Sequence, residues 1–299
     1  MLPKASAGGM NILTVLPILL VFGGCRGGDS PTSTKDSSPP KATEEGRAAN
    51  YQAASELLAA VRAGDAAAVH SALQAGANPD LKDEEGAPMI CIAAEKGLTD
   101  VAKILVEGRA DLKVRTKFGL APVNLSILGR HSDTAVLLIN AGAEVNDGAA
   151  LMSATHNRDL NMIKLLLDRG ADLHFADDVY VRVAAKQGNA ELVRFFLDRG
   201  ADPRSLSEMR ENALHNASYV NEPEVLEMLL AKHIEVNATQ YTGKTALIIA
   251  ASRGNLESVK TLLAHGADPN ITDDQRKTAL DYSQPDGDIQ RALRAAGAR

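Results

Sequence analysis

The sequence predicts an all-α solenoid of about eight stacked helix-turn-helix repeats with a period of 33 residues. Three observations support this fold class. A short phrase of glycine, alanine and an Asp, Asn or Glu recurs along the chain. The phrase lies at a fixed distance from each predicted helix start, and few of the apolar residues are aromatic. Aromatic residues make up only 3% of the chain and Trp is absent, so Leu, Val, Ile and Ala must form the core. That composition suits helices that approach one another closely.

The recurring phrase marks the exit from the second helix of each repeat. The exit positions in this register are Gly76, Arg109, Gly142, Gly170, Gly200, His233 and Gly266. The first helices are predicted to start at Ser55, Pro88, Ala121, Ala149, Val179, Asn212, Thr245 and Thr278. Each of the first seven starts lies 21 residues before its exit position. This constant spacing indicates that the helical part of the repeat keeps one length throughout.

Glycine suits the exit because it adopts the left-handed conformation without penalty. A residue with a side chain costs about 1–2 kcal/mol there. At Arg109 we therefore predict a local adjustment, in which Gly108 takes the left-handed conformation one residue early.

The clearest repeat shows why neighbours must stack. Leu247, Ile248, Ala250 and Ala251 give its first helix an apolar face. A second helix follows with the apolar residues Leu256, Val259, Leu262 and Leu263. One such helix pair cannot bury both faces by itself, so several pairs must stack into a continuous core.

The stretch from Thr245 to Asp268, with its Thr-Ala-Leu start and its Gly-Ala-Asp end, resembles an ankyrin repeat. His215, in the phrase Asn-Ala-Leu-His, stands where that family has a structural histidine. The resemblance covers about residues 55–298. It implies β-turn or hairpin fingers that precede the first helices, and a concave face of fingers and first helices on which a partner protein binds.

The partner-binding positions implied by this register carry charged or large apolar side chains. They are Glu84, Glu85, Lys96, Lys117, Phe118, Lys186, Met209, Tyr219, Tyr241 and Arg253. Phe118, Tyr219 and Tyr241 are candidate anchors, because exposed aromatic residues are favoured at interfaces. The alternative is that each ring packs against an adjacent finger.

Two connections are shorter than the others and fall at Ala143–Gly148 and Ala171–Asp178. The helical part keeps its length, so the missing residues must come from the fingers. We hypothesise a notch there that accepts a protruding loop or side chain; simple loss of a finger is the alternative.

The predicted repeats carry no recognisable catalytic, metal or cofactor site. The seven histidines are dispersed and lack the spacing of a helical metal site. Cys91 has a core-facing register and is predicted to be a buried small hydrophobe. We therefore expect a protein that is not an enzyme. An enzyme or enzyme accessory with a site at the notch is the alternative from a different functional class.

The first fifty residues are predicted to be a targeting signal followed by a tether. Residues 1–24 contain Lys4 and a short apolar run, which is typical of a signal peptide. The Gly-Gly-Cys phrase that ends at Cys25 resembles the lipobox of bacterial lipoproteins, which implies lipidation of Cys25; an uncleaved anchor or a plain secretory signal is the alternative. Residues 25–50 are rich in Ser, Thr, Pro and charge and are predicted to form a disordered tether before the solenoid at 51–299.

These features predict a non-catalytic binding module in the bacterial cell envelope. The lipid anchor would hold it facing the periplasm, and Arg26 after the cysteine favours the outer membrane if the cell is Gram-negative. We expect a monomer with a protein partner, as a scaffold or as an immunity protein against a periplasm-acting toxin. The net charge of −6 and the lack of a basic stripe argue against nucleic acid as a partner. A cytosolic protein with a mistaken start is the remaining alternative.

Overall fold

The computed structural model describes residues 44–285 and 287–299, which form two compact units divided between Glu144 and Val145. The predicted signal peptide, Cys25 and the first part of the predicted tether lie outside the described residues. Regular structure within the described residues is helical, with two isolated β-bridges, Lys82 to Pro88 and Thr239 to Thr245. No helix among these residues has both the length and the apolar character that a membrane span requires.

The described residues of unit 1 form three helix pairs. They are α1 (Glu44–Ala63) with α2 (Ala66–Gln74), α3 (Met89–Glu95) with α4 (Thr99–Glu107), and α5 (Pro122–Leu128) with α6 (Ser132–Asn140). The first helix begins at Glu44, inside the segment 25–50 that the sequence predicts as a tether. First helices contact first helices of the next pair, and second helices contact second helices.

Unit 2 contains five helix pairs with the same arrangement. They are α7 (Ala149–Asn157) with α8 (Leu160–Asp168), α9 (Phe175–Lys186) with α10 (Ala190–Asp198), α11 (Ala213–Ala217) with α12 (Pro223–Leu230), α13 (Ala246–Arg253) with α14 (Leu256–Ala264), and α15 (Ala279–Tyr282) with α16 (Asp288–Ala295). The predicted all-α solenoid of eight helix pairs is confirmed.

Short polar side chains start many of these helices. Asp65, Asp159 and Asn189 accept a hydrogen bond from a backbone N–H in the first turn of α2, α8 and α10. Asn212 and Thr245 do the same for α11 and α13. Such caps satisfy backbone donors that have no partner inside the helix, which fixes where each helix begins.

The first helices are buried on more than one face. In α13, every residue from Ala246 to Ala251 is at most 3% exposed, although the sequence pattern predicts an apolar face only. The reason is stacking: α13 lies between its own second helix, α14, and the first helices of the two neighbouring repeats, α11 and α15. Alanine at these positions permits that close approach. The second helix α14 keeps a narrower buried stripe, with Val259 and Leu262 fully covered.

Every repeat leaves its second helix through one left-handed residue. These residues are Gly76, Arg109, Gly142, Gly170, Gly200, His233, Gly266 and Gly297, with φ between 58° and 94°. The prediction for Arg109 is wrong, because Arg109 itself has φ 66° whereas Gly108 keeps φ −72°. Two backbone bonds fix this position: Arg109 N–H donates to Val106 and Ala110 N–H to Leu105. The strain therefore stays at Arg109, and Gly108 serves packing, since an added Cβ would lie 3.0 Å from Leu73.

Five fingers share a turn of five residues, closed by a backbone bond from the first N–H to the fifth C=O. The turns are 83–87, 116–120, 207–211, 240–244 and 273–277. In each turn the fourth residue is left-handed: Gly86, Gly119, Arg210, Gly243 and Arg276. The side chain of the first residue accepts a hydrogen bond from an N–H of the same turn, as Asp83 does from Ala87 at 2.8 Å.

The two short connections are built differently. Residues 143–148 end in left-handed Gly148, and residues 171–178 end in three successive left-handed residues, Ala176, Asp177 and Asp178. The ring of Phe175 packs on Gly148, where an added Cβ would lie 2.4 Å from it, and the hydroxyl of Tyr180 donates to the Gly148 carbonyl. The missing residues thus come from the fingers, and side chains of unit 2 pack at Gly148.

Candidate functional site

The finger before α11 presents the most exposed apolar side chains of unit 2 together with those of the next finger. Leu206 is 47% exposed and Met209 is 53% exposed, while Tyr241 in the next finger is 67% exposed. The two fingers are joined, because the backbone N–H of Tyr241 donates to the carbonyl of Met209 at 2.9 Å. Of the predicted positions, the structure therefore brings Met209 and Tyr241 together on one surface.

The turn 207–211 holds Met209 at its tip and Glu211 at its end. Ser207 N–H donates to the Glu211 carbonyl at 2.9 Å, and Glu211 N–H donates back to the Ser207 hydroxyl at 3.1 Å. Left-handed Arg210 makes the tight return possible. The turn therefore fixes where the carboxylate of Glu211 lies relative to Met209.

Glu211 fixes the predicted anchor Tyr219, which is half-buried just after α11. The Tyr219 hydroxyl donates to Oε1 of Glu211 at 2.8 Å. Burial, together with this bond, raises the pKa of Tyr219 to about 12. The ring is consequently a rigid part of its own repeat rather than a free side chain.

Two cations from neighbouring repeats lie over the Tyr219 ring. The Lys186 ammonium at the end of α9 is 5.2 Å from the ring centroid, and the Arg253 guanidinium at the end of α13 is 5.1 Å from it. Both distances fall within the range of cation–π attraction. Three of the predicted positions, Lys186, Tyr219 and Arg253, thus meet in one cluster that links three repeats.

A further cation, Arg182 of α9, is only 6% exposed. Its guanidinium donates to the Asp177 carbonyl at 2.6 Å and to the Ser205 hydroxyl at 2.8 Å. Burial lowers the pKa of Arg182, against the attraction of Asp177, Asp178 and Glu211. We define the unit 2 finger surface as Lys186, Leu206, Met209, Tyr219, Tyr241 and Arg253.

The predicted positions of unit 1 form a different arrangement, which we call the unit 1 finger surface: Glu84, Glu85, Lys96, Lys117 and Phe118. Arg62 pairs with Glu84 at 2.6 Å and with Asp83 at 3.5 Å. The hydrogen bond from Arg62 lowers the pKa of Glu84. This part of the surface therefore uses its charges internally.

The remaining charges of the unit 1 finger surface are also engaged. Lys117 pairs with Glu85 at 3.8 Å and its ammonium lies 5.4 Å from the centroid of Phe118. The Lys96 ammonium donates to the Arg62 carbonyl at 3.0 Å. Phe118 is 43% exposed and is the one large apolar side chain of this set.

Sequence reasoning missed four residues of these clusters: Arg62, Arg182, Leu206 and Glu211. Glu211 and Arg182 show no signal in the sequence, because their roles depend on which neighbour each side chain reaches. Leu206 had one available signal, since it is an apolar residue inside a finger that is otherwise polar.

The residues considered for chemistry are structural. Burial raises the pKa of the Cys91 thiol to about 12, which is the reverse of what a nucleophile requires. His215 is buried, accepts from the Asn212 N–H through Nδ1 and contacts the Ala238 carbonyl through Nε2 at 3.0 Å. Within residues 44–285 and 287–299, no group of three or more His, Cys, Asp or Glu side chains could hold a metal ion.

An open groove of about 450 Å³ lies on the second helices of unit 2, away from the fingers. It is lined by Leu160, Ala190, Glu191, Arg194, Phe195, Asp198 and Glu224. Arg194 and Glu224 pair across it at 2.8 Å. None of the predicted binding positions lines this groove.

Comparison with known proteins matches residues 57–149 and 181–283 to a family model of ankyrin repeats in three copies, and residues 149–178 to a single ankyrin repeat. The chain is 27% identical over 215 residues to the B-cell lymphoma 3 protein homolog of Mus musculus, covering 66% of this chain and 48% of that protein. It is 28% identical over 211 residues to the E3 ubiquitin-protein ligase KEG of Arabidopsis thaliana, covering 70% of this chain and 12% of that protein.

Another relative matches over a shorter stretch but with a higher sequence identity. The chain is 36% identical over 160 residues to the ankyrin repeat and SOCS box protein 14 of Mus musculus, covering 47% of this chain and 27% of that protein. The chain spans less than half the length of each of these three relatives. The matched models, the eight helix pairs and the shared exit residue lead to one conclusion: the chain belongs to the ankyrin-repeat family.

Proposed function

We propose that this chain is a non-catalytic protein-binding module of the bacterial cell envelope, held at a membrane through lipidated Cys25, and that the unit 2 finger surface carries its main contacts to a protein partner. The partner lies across the fingers and the ends of the first helices. The observation that carries the binding role is the exposed apolar group of Leu206, Met209 and Tyr241, which two joined fingers present side by side.

Single exposed apolar side chains are common on protein surfaces, whereas Leu206, Met209 and Tyr241 occur together on two joined fingers. Most apolar surface on a monomer is scattered, whereas a cluster rimmed by polar groups marks an interaction site. Here the exposed side chains occur with a half-buried tyrosine whose ring is contacted by two cations. An interface of this composition, with aromatic and Met anchors and a charged rim, is typical of protein partners.

The named relatives support a binding role rather than a shared reaction. One is called a B-cell lymphoma 3 protein homolog, one a ubiquitin-protein ligase and one a SOCS box protein, and this chain covers between 12% and 48% of each. What they share with this chain is the repeat region alone. A module that recurs beside unrelated activities is best explained as the part that binds other proteins.

The envelope location rests on the N-terminal sequence. The phrase around Cys25 and the polar segment after it support a lipid-anchored protein whose folded part faces the periplasm. Mass spectrometry of the protein purified from membranes tests this. An N-terminal peptide that begins at Cys25 with added acyl mass supports it, and an unmodified Met1 start contradicts it.

Affinity capture of the full-length protein from native membranes tests the binding role, with the double variant Met209→Ser/Tyr241→Ser as the decisive comparison. We expect one stoichiometric protein partner that is lost in this variant. The control is Tyr51→Ser/Val136→Ser, which removes exposed apolar side chains elsewhere, in unit 1. Equal capture by the Met209/Tyr241 variant and the wild type would contradict the proposed surface.

A further inference from the structure

Resting on this proposed function, we infer that the partner presents an acidic segment to the unit 2 finger surface, with carboxylates at Lys186 and Arg253 and an apolar side chain against Leu206, Met209 and Tyr241. The overall net charge of −6 points the other way, toward basic partners. The charges on this surface determine which partner charge is attracted here, because screening by salt limits the reach of an exposed charge to about 10 Å.

Lys186 and Arg253 have no ion pair with a carboxylate within the described part of the chain. Each is exposed, and each contacts the face of Tyr219. An aromatic face attracts a cation but accepts none of its strong N–H hydrogen bonds, so these donors remain available to a carboxylate. The carboxylate of Glu211, beside the ring, already accepts from the Tyr219 hydroxyl.

Arg182 is a buried cation on the same helix as Lys186, and it contributes no donor to the surface. It is nearly buried, donates to a carbonyl and a hydroxyl, and forms no ion pair among the described residues. Its guanidinium is attracted by three carboxylates, those of Asp177, Asp178 and Glu211.

The next repeats continue the pattern of cations on a ring. The ammonium groups of Lys244 and Lys277 lie 4.5 Å and 5.4 Å from the centroid of Tyr282. The nearby carboxylate of Asp273 accepts from the Tyr282 hydroxyl at 2.6 Å and from two N–H groups of its own turn. An extended acidic segment that crosses the fingers would therefore meet a second pair of cations after the first.

The apolar contact lies within the same turn as the charged cluster. Met209 and Glu211 are two residues apart in the closed turn 207–211, and Met209 is bonded to the finger that carries Tyr241. Glu208 and Arg210 at the tip are both exposed and of opposite charge, so they leave the balance of the surface unchanged. The surface therefore combines an apolar anchor site with two exposed cations, Lys186 and Arg253, that form no ion pair with a carboxylate among the described residues.

Selection from a random short-peptide library displayed on phage, with the full-length chain as the target, tests the inference. We expect the selected peptides to combine Asp or Glu with a large apolar residue. Synthetic copies should bind at least about tenfold more weakly to Lys186→Glu/Arg253→Glu than to wild type, a difference of about 1.4 kcal/mol. Their affinity should also fall as salt is added.

Two further variants separate the possible outcomes. Lys103→Glu/Lys232→Glu reverses two exposed lysines outside the unit 2 finger surface, one on α4 and one just after α12, and should leave peptide affinity unchanged. Lys186→Gln/Arg253→Gln should also weaken binding, and an unaltered unfolding transition would show that its fold is intact.

Neutral or basic peptides that still depend on Met209 and Tyr241 would overturn the acidic partner while leaving the proposed function in place. Peptides that depend on neither pair of residues, or a selection without binders, would contradict both.

Discussion

The two units are built from the same repeat, but the charged side chains of their finger surfaces are mostly paired in unit 1 and, among the described residues, without ion pairs in unit 2. In unit 1, Arg62 pairs with Glu84 and Asp83, and Lys117 pairs with Glu85. In unit 2, Lys186 and Arg253 lie on the ring of Tyr219 and form no ion pair within the described residues. The charged groups of the unit 1 finger surface are therefore engaged within unit 1, whereas the N–H donors of Lys186 and Arg253 remain available to another molecule.

The apolar residues differ in the same sense. Unit 1 exposes Phe118 by 43% in its fingers, beside a lysine that is already paired. Unit 2 exposes Leu206, Met209 and Tyr241 in two joined fingers. Register thus selects equivalent positions in every repeat, whereas, among the described residues, the charged side chains at those positions are mostly paired in one unit and unpaired in the other.

The largest stability effect is expected at Tyr219. Tyr219→Ala removes a half-buried ring, two cation contacts and the hydroxyl partner of Glu211, so we expect a loss of about 2 kcal/mol in the free energy of unfolding. Phe118→Ala, on the more exposed surface, should cost about 0.5 kcal/mol. Urea denaturation of both variants measures this. Equal losses would break the contrast between a built-in and a surface aromatic residue.

Acid should weaken unit 2 through His215. Burial lowers the pKa of His215 below its usual 6.5, so the unfolded chain binds a proton first as the pH falls. Stability is therefore full above pH 6.5 and declines below it, by at most about 1.4 kcal/mol per pH unit. Denaturation across this range, read for each unit by hydrogen exchange, measures the effect. His215→Gln should remove the His215 part of this decline, and an unchanged pH profile would contradict the assignment.

The fingers also differ at their left-handed fourth residue, which is Gly86 or Gly119 in unit 1 but Arg210 in the key finger of unit 2. Arg210→Gly should stabilise the protein by about 1 kcal/mol, because it removes a strained φ of 58°. Gly119→Ala should destabilise it by about the same amount through conformation alone, since nothing lies within 4 Å of its added Cβ. Thermal denaturation measures both. Changes of the same sign would show that some other contact governs these turns.

The smallest effect is expected at the ion pair between Arg62 and Glu84. Both side chains are well exposed to solvent, so water and salt screen their attraction. Glu84→Gln should leave the denaturation midpoint unchanged at ordinary ionic strength. A clear loss of stability would mean that the self-paired surface of unit 1 contributes to the fold and not only to its surface charge.

Most of the fold could be predicted from the sequence because the repeat is written in local chemistry. The exit residues, the helix starts such as Thr245 and the shortened connections each follow from spacing and residue type. The error at Arg109 shows the limit of a residue's own preference. The hydrogen bonds of the repeat fix which residue turns left-handed, and they prevail over the local cost.

The candidate site was less predictable. Register identified Lys186, Tyr219 and Arg253 as finger-side positions, but not that they meet, because the contact joins residues from three repeats. Glu211 and Arg182 could not be singled out, since ordinary charged residues acquire their roles only from the side chains around them. Exposure of Leu206 is likewise a property of the folded finger rather than of its sequence.

The central claim is that partners meet the unit 2 finger surface rather than the unit 1 finger surface. Photo-crosslinking in native membranes tests it most directly, with a benzophenone amino acid placed at Tyr241 in one protein and at Phe118 in another. We expect a discrete crosslinked product from position 241 and none from position 118. Crosslinks from position 118 alone would contradict it.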